Sequence, residues 1–355
     1  MSRSKNMSRL DTVINQAKRL NPDELKVVSE EILHILKLVN NDSKTTTVVV
    51  NSCRRCESKN IVKFGKDKNG KQRYKCSNCG STFTETSYSV ISNTHCDINT
   101  WRKYVELLLN GSSLQKCSEE CKISVRTAFI WRHKILNALQ KDQENRALSG
   151  IVEADETFIS ISYKGNHKNS KNFTMPRAPY RRGTDSRAQT GSRACVMVAH
   201  ERNGQTYGEV LGKGQPTIAM LSHAFDNRII PDSIVISDKA IGIKNYFSRF
   251  DNIDLIQLMA HVRPKSMSSP PEVKGIYHIQ NVNNLHNRFH RFLRGYNGVS
   301  TKYLNHYVNL FIWIENYKKI ENTNLKTELL SYITSSNTHA KTSDILDLPA
   351  IPVVA

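Results

Sequence analysis

The sequence predicts a multidomain α+β protein in which two small N-terminal modules precede a larger α/β layer. Three observations carry this. Two CxxC knuckles stand nineteen residues apart, Cys53 and Cys56 then Cys76 and Cys79. Helical periodicity then fills residues 97 to 140. From residue 151 the pattern changes to strand, strand, strand, helix, strand, helix, strand and a final helical region. At 355 residues the chain exceeds one typical domain. The expected boundaries are a helical segment at 1–45, a zinc ribbon at 50–90, a helix-turn-helix at 95–142, the α/β layer at 150–318 and a tail at 319–355.

Within the first segment, SRLDTVINQAKRL and PDELKVVSEEILHILKLV read as two helices. Asn21 stands at the N-cap of the second, Pro22 at its first turn, and Leu25, Val28, Ile32, Ile35 and Leu36 form an apolar stripe. NNDSKTTT is a linker by composition. Each CxxC lets two thiolates approach one tetrahedral ion, and two knuckles close a Cys₄ site around structural zinc. Four sulfurs leave no open position, which excludes a catalytic role for that ion. Residues 53 to 75 also carry nine Lys or Arg against Glu57 and Asp67. That is more than a Zn(Cys)₄ centre needs for compensation, and it points to phosphate contact.

INTWRKYVELLLN, a Ser-capped SSLQKCSEEC and VRTAFIWRHKILNALQ capped by Ser124 then make three helices. A short helix, a tight turn and a helix with Arg126, Thr127, Trp131, Arg132 and His133 near its start is a helix-turn-helix layout, with Arg126 and Arg132 the expected DNA contacts. Cys117 and Cys121 read as small core residues.

Composition agrees with a polyanionic partner. Lys and Arg number 51 against 32 Asp and Glu, for a net charge of +19, and the surplus is spread over both halves of the chain. No apolar run spans a membrane and MSRSKNMSRL lacks a signal-peptide core, so a cytoplasmic protein, nucleoid-associated when bound to DNA, is expected. The clustering of the eight cysteines argues for metal in a reducing compartment over disulfides.

IVEADETFISIS reads as a strand with Glu153, Asp155 and Glu156 inside it, and buried carboxylates are costly unless paired or on a metal. A basic segment from Lys164 to Arg193 follows. RACVMVAHER and TYGEVLG form a hairpin across Asn203-Gly204, Gln215 to Phe225 is helical, SIVISD is a strand ending in Asp238, AIGIKNYFSRF is a helix and IDLIQLM a strand. This order is compatible with a ribonuclease-H-like layer. In it Asp155, in the middle of the first strand, and Asp238, at the end of the fourth, lie side by side. A later helix supplies a third ligand. On IYHIQNVNNLHNRFHRFLRG, Asn283, His286, Asn287 and His290 fall on one helical face beside an apolar stripe of Val282, Leu285, Phe289 and Leu293. Oxygen ligands from three elements suit magnesium or manganese, and such ions activate a nucleophile and stabilise the leaving oxygen at a phosphodiester. The bland alternatives stand beside this: Asp238 as a helix cap, Glu153 or Glu156 in place of Asp155, and Asn283 as an ordinary polar helix residue.

Taken together, RYKCSNCGSTFTETS, FIWRHKIL, VEADETF, MPRAPYRRG, ISDKAIGIKNYF and NVNNLHNRFHRFLRGYNGVSTKYLNHY resemble the zinc-ribbon insertion-sequence transposases of the ISXO type. The similarity runs from about Cys53 to Asn316. It implies a DDE-superfamily enzyme, in the branch where Asn replaces the third acid, that cuts double-stranded DNA at element ends and joins the freed 3′ ends to a target. Carried over, the catalytic and metal-binding set is Asp155, Asp238 and Asn283. The family's Lys seven residues after the third ligand is His290 here, with Arg294 the nearest strong cation, so both are the expected contacts to the DNA end. Holding two ends together implies a homo-oligomer on DNA. The competing expectation is a catalytically silent, sequence-specific DNA binder descended from such an enzyme.

Overall fold

The computed structural model describes residues 50–68, 70–144, 146–165, 193–202, 204–259, 272–321 and 323–352. The two expected N-terminal helices, Asn203 of the hairpin turn and nearly all of the basic segment after Lys164 lie outside them. The described part of the chain clusters as one unit from Val50 onward.

Near its start, β1 (Ile61–Lys66), β2 (Gln72–Cys76) and β3 (Thr82–Thr84) form an antiparallel three-stranded sheet in that order. Its apolar interior is small, with Cys53, Cys76 and Phe83 its buried members. So little buried surface cannot offset the ordering of the chain, and the four cysteines must supply the staple.

Three helices follow: α1 (Ile98–Leu109), α2 (Leu114–Cys121) and α3 (Val125–Glu144). Asp97 caps α1, accepting from the Thr100 amide, and Ser113 caps α2 through the Lys116 amide. Lys122 ends α2 in the left-handed region, after which Ser124 accepts from the Thr127 amide to start α3. Cys117 and Cys121 are buried among these helices, as expected.

The main sheet has the order β6-β5-β4-β7-β8. β4 (Ile151–Ser160) is central, β5 (Arg193–Glu201) and β6 (Thr206–Lys213) extend it antiparallel on one side, and β7 (Ser233–Ser237) and β8 (Ile253–Gln257) extend it parallel on the other. One face packs on α4 (Ile218–Phe225) and α5 (Ile241–Phe247) through Leu221, Phe225, Ile243 and Phe247. The other carries α6 (Gln280–Arg294) and α7 (Leu304–Tyr317), which bury Val282, Leu285, Phe289, Val308 and Ile312 against Val196, Val198 and Ile236. Each element falls within a few residues of its expected place.

Two helices complete the chain where the sequence shows only a tail: α8 (Leu325–Ser335) and the short α9 (Thr342–Leu346). Leu329, Leu330 and Ile333 of α8 share a core with Trp101, Leu108, Trp131 and Leu136 of the N-terminal helices. The apolar residues of α8 are too few to announce a helix, because its inner face is completed by partners almost two hundred residues away. α7 joins this same core through Tyr307, Leu310 and Trp313, so it has an apolar face toward the sheet and another toward α3. Gly208 on β6 permits this approach, since a Cβ there would stand 2.9 Å from Ile312. Asn305 and Asn316 of α7 accept from the Val210 and Thr206 amides of β6, pairing the otherwise open edge of the sheet. Among the described residues no helix is long and apolar enough to cross a membrane.

The seat of α6 is set by one carboxylate. α6 opens after Ile279, which offers no side-chain cap. Glu153, on the face of β4 that α6 covers, supplies it instead. Its oxygens accept from the Asn281 amide at 2.9 Å, the Val282 amide at 3.2 Å and the Asn281 side chain at 2.7 Å, and Arg202 pairs with it at 3.1 Å. The carboxylate is fully buried and lies where the helix dipole is positive. Removing it leaves the Arg202 Nε–H and two amides without an acceptor, so Glu153→Ala should cost about 3–5 kcal/mol in denaturant unfolding. A loss under about 1 kcal/mol would show that the cap is dispensable.

Candidate functional site

The geometry of the candidate site follows from strand register. β7 runs parallel to β4 with Glu153 opposite Ile236, and β7 ends one residue later at Ser237. Continuing the register by two residues sets Asp238 level with Asp155, on the face that α6 covers. β4 runs on alone past that point on its β7 side, leaving an open notch. Asp155, Glu156 and Asp238 meet there, with one carboxylate oxygen from each within 4.8 Å of the others. Glu156 points off the opposite pleat, yet the missing neighbour strand lets it share the notch.

Burial raises all three acids. Asp155 is pushed well above the ordinary carboxylate range by burial, then by the charges of Asp238 and Glu156. Glu156 rises to about 7 from burial and from Asp238. Asp238 rises by burial, offset in part by the Ala240 amide, which donates to its Oδ1 at 3.0 Å. Asp238 therefore does close an Asx turn ahead of α5 while one of its oxygens joins the notch. The buried Oε2 of Glu156 has no hydrogen-bond partner among the described residues. Three crowded carboxylates with an unpartnered oxygen fit a hard divalent cation, whose charge relieves their repulsion.

α6 runs alongside β4 in step with it. Its first turn sits on Glu153, the Nδ1 of His286 lies 3.7 Å from Oδ2 of Asp155, and Nε2 of His290 is 2.9 Å from Oγ1 of Thr157. Asn283, His286 and His290 share a face, so Asn283 falls between the levels of Glu153 and Asp155. His286 is buried and lowered to about 4, by burial first and then by His290, so it is neutral near pH 7. His290 is also lowered, by burial and by Arg294. Arg294 is exposed one turn on.

Of the remaining expected residues, Arg126 is exposed at the start of α3. Arg132 is not a surface contact. It is 3% exposed, donates to the Ser112 carbonyl at 2.6 Å and lies over the Tyr296 ring. Trp131 and His133 are likewise interior: Trp131 stacks on Trp101 and His133 is hydrogen-bonded to His306. The physical reason is that α3 is covered along this side by α7 and α8, whose approach the local periodicity does not register. Sequence reasoning also left Glu153 as a rival metal ligand, whereas it is committed to α6. The odd-numbered alternation of β4 distinguishes Glu153, Asp155 and Thr157 from Glu156, but not their partners.

At the N-terminal sheet the four thiols converge, Cys53 to Cys79 and Cys56 to Cys76 each at 3.7 Å. A tetrahedron with Zn–S bonds of about 2.3 Å has edges of about 3.8 Å, so the donor set fits zinc without rearrangement. The Cys79 and Asn78 amides bring the Cys76 thiol down to about 6, toward the thiolate that binds metal.

Residues 147–316 match the ISXO2-like transposase domain, and residues 46–80 match the InsA N-terminal domain, a zinc ribbon. The α/β layer is an ISXO2-like transposase domain. A protein described only as uncharacterized in transposable element ISH50, from Halobacterium salinarum, is 25% identical over 134 residues, which is 37% of this chain and 44% of that protein. The chain thus aligns with under half the length of that relative. The Mos1 strand transfer complex is 13% identical over 68% of this chain and 78% of that one, at a TM-score of 0.25. The Mos1 mariner paired-end complex with Mn is 14% identical over 67% and 78%, at 0.22. Those scores are too low to carry an argument about the transposase domain's fold.

Two outcomes follow. Glu156 is raised from 4.5 to about 7 in the folded chain, so its contribution to stability is complete below pH 4.5 and is lost as pH rises through 7. With zinc retained and other divalent ions omitted, the stability of the parent relative to Glu156→Gln should fall from pH 5 to pH 8 by on the order of 3 kcal/mol, a comparison that cancels the opposite titration of the buried histidines. Added manganese should restore it, and a flat profile would mean that the three acids are not crowded. Chelating the zinc, or replacing Cys76 by Ser, should unfold β1–β3 while the transposase domain keeps its melting transition, as read by amide exchange.

Proposed function

We propose that the chain is the transposase of an insertion sequence, binding the element's ends and catalysing metal-dependent strand cleavage and 3′-end joining. The observation that carries this is the meeting of Asp155, Glu156 and Asp238 at the end of the parallel strands, in an ISXO2-like transposase domain. A ribonuclease-H-like layer is supported by the order β6-β5-β4-β7-β8, antiparallel then parallel around β4. A helix-turn-helix is supported by α2, the left-handed Lys122 turn and the Ser124-capped α3 with Arg126 exposed. Double-stranded DNA is the partner in this reading, and holding two element ends together calls for an oligomer on it.

In this reading Asp155 and Asp238 hold magnesium or manganese, with Glu156 in the same notch and Asn283 the further oxygen donor from α6. The ions supply a lowered pKa for the attacking hydroxyl and charge for the leaving oxygen. The chain's own groups set the geometry: Glu153 fixes α6 against β4, and neutral His286 lies beside Asp155 without competing for the cation. Arg294, Arg126 and the basic zinc ribbon grip phosphates, and the surplus of +19 gathers DNA from a distance.

A second reading, a DNA binder without catalysis, is favoured by one observation. His290 stands where the resembling family has Lys, is bonded to Thr157 and is held neutral by burial, so no permanent cation occupies that place. An assay with the DNA flanking the gene and manganese separates the two. Asp155→Asn and Asp238→Asn should lower cleavage by at least about a thousandfold and leave DNA binding within about twofold. Cleavage unchanged in both variants would sink the catalytic assignment, and no cleavage by the parent chain would support the binder.

A further inference from the structure

A cavity of about 790 Å³ lies between α3 and the loop that links α6 to α7, outside the acid notch. Its walls include the rings of Phe129, Tyr296, Tyr303 and Tyr307. Four cations also line it, and no Asp or Glu does among the described residues. Three of these cations are fixed to main-chain carbonyls: Arg132 to Ser112, Lys164 to Asn297 and Gly298, and Lys302 to Leu346. The fourth, Arg126, is exposed at the start of α3. His133, which stacks on Tyr303 with centroids 4.1 Å apart, is held well below its usual range by burial, so the aromatic wall is uncharged.

A second cavity, of about 400 Å³, follows the chain from Phe158 at the end of β4 to Ser162 just beyond it and shares Gly298 and Val299 with the first. At its other side it reaches His290 and Arg294. His290 bonds to Thr157, two residues from Asp155. The two cavities thus adjoin in a trough that runs from His290 and Arg294, beside the strand that carries Asp155, to the exposed start of α3. Seven residues of extended chain separate Asp155 from Ser162, about 23 Å at roughly 3.3 Å each, or about seven base steps of DNA at 3.4 Å.

An aromatic-walled cavity with fixed cations and no acid matches one class of occupant. Aromatic rings stack on any base face, cations take the adjoining phosphates, and the absence of carboxylates removes the repulsion a polyanion would meet. We propose that this cavity receives a single base of the element's terminal DNA, unstacked from the duplex about seven steps from the strand being cut. This rests on the transposase reading. It adds to it a site that measures the distance from the recognised end to the scissile bond, because a base seated against Phe129 and Tyr303, whose rings meet edge to face at 5.4 Å, fixes the strand's position along the trough. Unstacking one base costs less where its face is stacked again on protein.

The test uses the full zinc-loaded chain and duplexes from the DNA flanking the gene, with 5-iododeoxyuridine placed singly at each of the first ten positions of either strand. Irradiation should give one strongly crosslinked position, and peptide mapping should locate the adduct on Phe129 or Tyr303. Phe129→Ala should weaken binding of the end about tenfold, the equivalent of one lost base–aromatic stack, and Phe129→Trp should restore it. Specific binding with crosslinks only outside the cavity, on the unsubstituted chain, overturns the proposal and leaves the transposase reading intact. No specific binding to any flanking duplex overturns both.

Discussion

A single buried carboxylate organises the transposase domain. Glu153 comes from the middle strand of the sheet and ends on the first turn of α6, where two backbone amides, an Asn281 side chain and Arg202 converge on it. A charge taken out of water this completely persists only when every oxygen is satisfied. That requirement permits one placement of α6 on β4. From it follow the contact of His286 with Asp155 and the bond of His290 to Thr157, because helix and strand advance at similar rates per shared face. The notch therefore inherits its geometry from a residue that takes no part in its chemistry.

The sheet provides the other half of that geometry by ending. β7 stops at Ser237 while β4 continues for seven residues beyond its last β7 partner, Glu153. A carboxylate at the end of one strand thus comes level with one in the middle of the next. The same loss of a neighbour lets Glu156 reach across from the opposite pleat. Burial raises all three acids and their mutual repulsion raises Asp155 and Glu156 further, and a cation is the simplest remedy available to a protein that keeps them.

Much of this was legible in the sequence, for reasons that differ by element. The cysteine knuckles are visible because metal coordination is local: two residues per knuckle fix the donor set. Asp155 and Asp238 are visible because an acid on an apolar strand contradicts its surroundings. The strands and helices of the layer are visible through periodicity and through caps such as Ser113 and Ser124. What local pattern does not carry is partnership across the chain. Arg132 reads as a groove contact until α7 arrives on that side of α3, and Glu153 reads as a metal ligand until the uncapped start of α6 is known. Likewise α8 is nearly silent in sequence, since Leu329, Leu330 and Ile333 become a core only against Trp101 and Trp131.

That last packing has a consequence in time. The helices bearing Arg126 are complete by Glu144, but their core stays open on one side until Ile333 is available. At about 5–20 residues per second, a ribosome needs roughly ten to forty seconds to cover that interval. A nascent chain therefore cannot close the core of these helices until the whole of the transposase domain has emerged. Synthesis itself orders assembly: the α/β layer is complete before the helices that precede it in the chain.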